Sequence, residues 1–91
     1  MCKAKKVLII GGGLVGVELA GEILWRYGRE KKIIIIHSKN RLIERNDLSA
    51  SKYAEDYLKK GGVKIIYNNR VVNGKNGIYL TETGRKIKTD I

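Results

Sequence analysis

Three features of this 91-residue sequence point to an α/β domain: apolar runs the length of buried strands, helix-periodic stretches between them, and glycines at the junctions. The order reads as βαβαβ with a parallel sheet and right-handed crossovers, followed by an antiparallel meander. Val7-Leu8-Ile9-Ile10 is a continuous apolar run stopped by three glycines, the pattern of a strand buried on both faces. Leu19, Ala20, Ile23, Leu24 and Tyr27 then recur at helical spacing as an inner stripe, and Gly28 supplies a stop. Trp25 falls off that stripe, in a place that suits a contact to another domain or a half-buried surface position. Ile33 to Ile36 predicts a second buried strand, because four consecutive β-branched residues favour a sheet over a helix. After a polar loop, Asp47 or Ser49 caps a second helix with an inner face of Ala50, Tyr53, Ala54, Tyr57 and Leu58. Its outer side offers the pairs Glu55 with Lys59 and Asp56 with Lys60, each four residues apart. Gly61-Gly62 ends that helix, and Val63 to Tyr67 reads as a third buried strand. The segments 70–73, 78–81 and 85–88, divided by glycine-containing turns, make up the meander. With no repeat and no linker, residues 1–91 form one small domain.

Composition narrows the function classes. The chain is 43% apolar and 31% charged with no proline, which is globular rather than disordered. No cleavage site follows Met1 to Lys6, and the longest apolar region is broken by glycines and carries Glu18 and Glu22, so neither a secretory leader nor a membrane span is expected. One cysteine, Cys2, makes no internal disulfide and no dithiol centre. Cytosol or an organelle interior is the expected compartment. The net charge of +10 passes a first screen for nucleic-acid binding. Its 19 Lys and Arg are scattered, however, without an arginine-rich block or a basic strand interleaved with aromatics. A solvated basic surface, part of it suited to an anionic cofactor, is the better reading, and no nucleic acid is expected.

Gly11-Gly12-Gly13-Leu14-Val15-Gly16 fits G-x-G-x-x-G between a strand and a helix, the context that makes this pattern a dinucleotide site of Rossmann type. Gly11 allows the tight turn, Gly13 lets backbone approach a pyrophosphate, and Gly16 lets the helix pack closely on the sheet. The helix start offers unpaired N–H groups and a positive dipole end to the phosphates. The plainer alternative is a glycine-rich connector. About 20 residues on, an acid would bind the ribose 2′-hydroxyl. His37 stands there instead, followed by Ser38 and Lys39. Ser38, Lys39 and Arg41 can receive a 2′-phosphate, which favours NADPH or a tolerant site, and His37 can donate to either ligand. An ordinary basic loop explains Lys39 and Arg41 equally well. No metal site and no catalytic residue is read from the sequence.

The run from Val7 through Gly16 to Val17-Glu18-Leu19-Ala20 resembles the NAD(P)H fingerprint of the pyridine nucleotide-disulphide oxidoreductase superfamily, in which a Glu lies two residues past the last glycine. Ile36-His37-Ser38, Arg41-Leu42-Ile43 and the stretch from Thr83 to Ile91 extend the similarity over nearly the whole chain. His37-Ser38 looks nearest to the apoptosis-inducing-factor-like branch, whose members are FAD-dependent NAD(P)H:quinone oxidoreductases. The resemblance implies hydride transfer from NAD(P)H to FAD and on to a quinone or similar acceptor. It also implies that Glu18 helps orient the nicotinamide carboxamide. Read from the residues alone, Glu18 is an outward-facing acid favoured by the helix dipole.

Departures from the family pattern set further expectations. The chain carries no FAD-binding part, no C-x-x-C and no quinone-site segment. It reads as a three-layer, Rossmann-like piece of a larger flavoprotein, without the family's final parallel strand and inactive by itself, because no redox group lies within it. An FAD-binding domain or subunit is the implied partner. In the family layout the final strand lies beside Val7 to Ile10, so that edge is expected to be exposed and to favour self-association. Two other classes remain open: a stand-alone nucleotide-binding or sensing module, and a basic interaction module.

Overall fold

The computed structural model describes residues 5–43, 48–75 and 77–89. Strand β1 (Lys6–Ile10) leads through the glycines into helix α1 (Leu14–Tyr27). A single 3₁₀ turn, Gly28–Glu30, follows, with Gly28 at φ +58°, a left-handed conformation that suits glycine. Then come strand β2 (Lys32–Ile36), helix α2 (Leu48–Lys60) and strand β3 (Lys64–Ile66). The meander is β4 (Val71–Lys75), β5 (Ile78–Thr81) and β6 (Lys86–Lys88). The order β1-β2-β3 is parallel throughout, and β4-β5-β6 antiparallel, as the apolar runs and turn signals predict.

Strand alternation builds three layers. Val7 and Ile9 lie in register with Ile33 and Ile35 and turn toward the helices, where they pack with Ala20, Ile23, Ala54 and Leu58. The opposite face sends Ile36 and Ile66 against Ile87 of the meander, with Leu8, Ile34 and Val71 at the margin. Ile35 and Ile36, in the middle strand, are fully buried from both sides, and each is worth roughly 1.5–3 kcal/mol by burial alone.

The outer strands depart from the expected burial. β1 is an edge among the described residues, with only β2 beside it, and its last residue, Ile10, is 61% exposed. The helices also bury narrower stripes than periodicity suggests. In α1, Ala20 and Ile23 are buried and Val17, Leu24 and Tyr27 pack at the margin, but Leu19 is exposed. One residue is a 100° step round a helix, which turns Leu19 away from Ala20 and toward the open side of β1. In α2 the buried residues are Ser51, Ala54 and Leu58, whereas Tyr53 and Tyr57 stay largely exposed. Small Ser51 and Ala54 let the helix lie close to the sheet, and the tyrosines keep their polar tips in water.

Glu55 and Lys59 pair at 2.6 Å, but Asp56 sits 3.9 Å from Lys52 rather than pairing forward with Lys60 as expected. The Lys59 hydrogen bond holds the Glu55 carboxyl below its usual range. Burial, reinforced by Glu55, pushes the Tyr67 hydroxyl up to about 12. Ser49 lies inside the first turn of α2 and not before it, and Asp47 falls outside the described residues. Trp25 is 82% exposed, off the inner stripe.

Candidate functional site

The glycine turn is tied down on three sides. Gly11, at φ +106°, reverses the chain out of β1 and donates its N–H to the Ile36 carbonyl at 2.7 Å. Gly12 is buried; its N–H donates to His37 Nδ1 at 2.9 Å, and its carbonyl accepts from the Ile43 N–H at 2.8 Å. A Cβ on Gly12 would meet Leu42 Cδ2 at 2.6 Å and His37 Cγ at 2.9 Å. A Cβ on Gly16 would run into the Gly11 carbonyl oxygen and lie 3.3 Å from Ile9 Cγ2. Close approach at Gly16 is therefore first to the turn itself and only then to the sheet.

Gly13, like Gly11 and unlike Gly12 and Gly16, is uncrowded. It caps α1 in an extended conformation, its carbonyl accepts the first helical bond from Val17 at 3.0 Å, and nothing stands within 4 Å of where its Cβ would be. Helix geometry leaves the amides of Leu14, Val15 and Gly16 without an intrahelical acceptor. No side chain caps them, and the first turn holds no acid. Bare amides, a positive dipole end and open space above a glycine fit a diphosphate. Leu14 and Val15 are exposed here, Val15 at 79%. Beside them a groove of about 590 Å³ runs along the free edge of β1, lined by Ile10, Gly13 and Leu19 among others.

His37 occupies its predicted position at the end of β2 but is buried beneath Gly12. Its Nδ1 accepts a backbone proton, so this nitrogen is not the one that donates to a ligand. Its main chain links to the third strand: the N–H donates to the Ile66 carbonyl at 2.9 Å, and the carbonyl accepts from Asn69 at 3.1 Å. Ser38 and Lys39 are exposed on the following loop, where the Lys39 carbonyl accepts from Asn68 at 3.0 Å, and Arg41 is half-buried. Ser38 lines a small cleft of about 110 Å³ with Gly11, Asn69 and Arg70, which Lys39 and Arg41 do not line. Asn69 holds this corner, donating to Thr83 Oγ1 at 2.9 Å and accepting the Arg70 N–H at 3.0 Å. Glu18 is exposed, one turn into α1, and lines neither cavity.

Gly12, read from the sequence as part of the glycine motif, is a packing position beneath the turn. One position was missed by motif reading. Arg70 follows β3; parallel strands end on one rim, so residues just past β3 join those past β1 and β2. Among the described residues no three His, Cys, Asp or Glu side chains cluster as metal ligands, and no helix is long and apolar enough to cross a membrane.

Comparison with known proteins gives one consistent picture. The family model described as pyridine nucleotide-disulphide oxidoreductase matches residues 2–91. Apoptosis-inducing factor homolog A of Dictyostelium discoideum is 39% identical over a match covering 76% of this chain and 18% of that protein. Ferroptosis suppressor protein 1 of Taeniopygia guttata is 31% identical, covering 98% of this chain and 26% of that protein. A solved ferredoxin reductase from Rhodopseudomonas palustris superposes with a TM-score of 0.86 at 19% identity, over 99% of this chain and 23% of that one. That last likeness supports the Rossmann-type fold. The chain spans 17–19% of the length of the first three curated relatives it matches.

Proposed function

This chain belongs to the pyridine nucleotide-disulphide oxidoreductase family, and from that premise we propose that it is the NAD(P)H-binding domain of an FAD-dependent oxidoreductase. The observation that carries the reading is the open space over Gly13 at an uncapped helix start, in a turn whose Gly12 and Gly16 are packed shut. Leu14, Val15 and Gly16 donate backbone N–H groups to the diphosphate, with Gly11 and Gly12 shaping the turn. Ser38 and Arg70, which share the small cleft beside Gly11, meet the adenosine end; Lys39 and Arg41, on the same loop as Ser38 but outside that cleft, add charge that favours a 2′-phosphate. His37 acts through Gly12, holding the turn in shape. Glu18 orients the nicotinamide carboxamide, a role resting on the family fingerprint.

When bound, the nicotinamide supplies a hydride, and FAD, held by another domain or subunit, is its acceptor. A quinone-like compound is the proposed final acceptor. The free edge of β1 is a surface for a further strand, from the rest of a larger flavoprotein or from a second copy. Isothermal titration of the chain with NADPH, NADH and FAD in parallel tests the reading. Preferential heat with a nicotinamide dinucleotide supports it, and preference for FAD overturns it.

A further inference from the structure

The basic excess of this chain is not used up at the glycine turn. At the opposite end of the parallel sheet, where all three strands begin, a cleft of about 430 Å³ opens between the sheet and β6. Along β1 this rim lies roughly 16 Å from the glycines, at about 3.3 Å per residue. Six cations line the cleft: Lys6, Lys32 and Lys64 from the sheet wall, and Arg85, Lys86 and Lys88 from the meander wall. No described residue lining it is acidic or aromatic.

The fold forces this gathering. Lys6 pairs with Lys32, and Lys64 sits opposite Ile34, so alternation puts all three on the face shared with Leu8, Ile34 and Ile66. That face packs on Ile87, which brings β6 over it; by the same alternation Arg85 shares the side of Ile87, while Lys86 and Lys88 border the cleft from its outer rim. Arg85 is fixed by the tight turn before β6: its N–H donates to Thr81 Oγ1 at 3.0 Å, and its carbonyl accepts from the Thr81 N–H at 2.9 Å. Lys32 and Lys64 on the sheet wall and Arg85 across from them are like charges that repel one another, and a bound anion relieves that repulsion.

We propose that this cleft binds a small anion bearing two or more phosphoryl groups, at a site separate from the glycine turn. Its volume lies in the range of small-molecule pockets. Cations on both walls call for more than one charged group on the ligand. A guanidinium fork flanked by ammonium groups suits phosphate oxygens. Single-stranded nucleic acid is disfavoured, since no aromatic side chain offers a stacking platform. The proposal stands apart from the reading of the glycine turn.

Inorganic tripolyphosphate is the probe, titrated calorimetrically into the whole chain at about 150 mM salt, where exposed charges are largely screened. Saturable one-to-one binding is expected. The triple variant Lys32→Ala, Lys64→Ala, Arg85→Ala, all exposed positions, should weaken it at least roughly tenfold, the equivalent of one charge-assisted contact. A charge-matched control, Arg26→Ala, Lys52→Ala, Lys60→Ala, on the helices that cover the other face of the sheet, should leave affinity within about threefold, as expected of surface charges outside the cleft. Circular dichroism checks that both variants fold. Equal losses in the two variants, or no saturable heat, overturn the proposal. So does loss of tripolyphosphate binding in Gly13→Val, which would put the anion at the glycine turn, or equal affinity for hexaglutamate, which would make the cleft a reader of acidic protein segments.

Discussion

Substitutions at Gly13 and Gly16 should separate two roles that the glycine motif merges. A Cβ on Gly13 enters open space at φ −73°, a conformation any residue adopts. Gly13→Ala should therefore leave the fold intact or stabilise it by about 0.4–1 kcal/mol, through the lost freedom of the unfolded chain. In the proposed binding mode a diphosphate approaches the helix amides through the same space. Losing one or two charge-assisted hydrogen bonds there, each worth about 1.5–3 kcal/mol, raises Kd by roughly 10- to 25,000-fold, with Gly13→Val at the upper end. Gly16→Ala should do the reverse in the unliganded protein. Its Cβ runs into the Gly11 carbonyl oxygen, which belongs to a turn already bonded to Ile36 and cannot easily give way. Overpacking of that kind costs about 1–3 kcal/mol, a fall in Tm of roughly 4–20 °C for a domain this size. Thermal denaturation by circular dichroism measures the first quantity and calorimetric titration with NADPH the second. Undiminished affinity in Gly13→Val, or a Gly13→Ala variant as unstable as Gly16→Ala, would refute the assignment.

Other outcomes follow from neighbouring contacts. His37→Ala removes the acceptor of the buried Gly12 N–H and should lower stability by about 1–3 kcal/mol in urea denaturation, even without cofactor. Replacing Lys39 and Arg41 by Ala should weaken NADPH roughly 3- to 10-fold more than NADH, and equal losses in titration would point to general electrostatics. Tyr67 holds its proton more tightly in the folded chain than its ordinary value of 10 allows, so the stability it contributes is intact below pH 10 and is lost as pH rises toward about 12. A Tm-against-pH series should fall across that window and flatten in Tyr67→Phe. Light scattering after size exclusion should show a dimer or larger assembly of the chain, and Ile10→Lys, placing a charge on the exposed β1 edge, should return it to monomer.

The architecture was legible because its signals are local. Four β-branched residues at Ile33 to Ile36 make a buried strand almost regardless of surroundings, and a glycine pair after Lys60 ends a helix. Burial of flanking residues was not legible. Leu19 and the pair Tyr53 and Tyr57 sit at positions that periodicity permits but only neighbouring elements can cover. Choosing Lys52 or Lys60 for Asp56 is likewise undecidable from spacing, since both lie four residues away. At the candidate site, Gly11, Gly12, Gly13, Gly16 and Ser38 came from pattern and context, and only the packing role of Gly12 did not. Arg70 needed the third dimension, because β3 brings it to the rim from elsewhere in the chain.

The buried contact among Gly12, His37 and Leu42 carries a lesson for redesign. The loop after β2 is the natural target for exchanging cofactor preference, since Ser38, Lys39 and Arg41 lie on it. Yet that loop begins with the imidazole that holds Gly12 and ends in Leu42 and Ile43, which pack against or bond to the same glycine. The segment proposed to choose the cofactor and the turn proposed to grip it are thus one mechanical piece. A transplant of residues 37–43 from a relative would import a foreign fit for Gly12. Exchanges confined to 38–41, leaving both anchors in place, should transfer preference without loosening the grip.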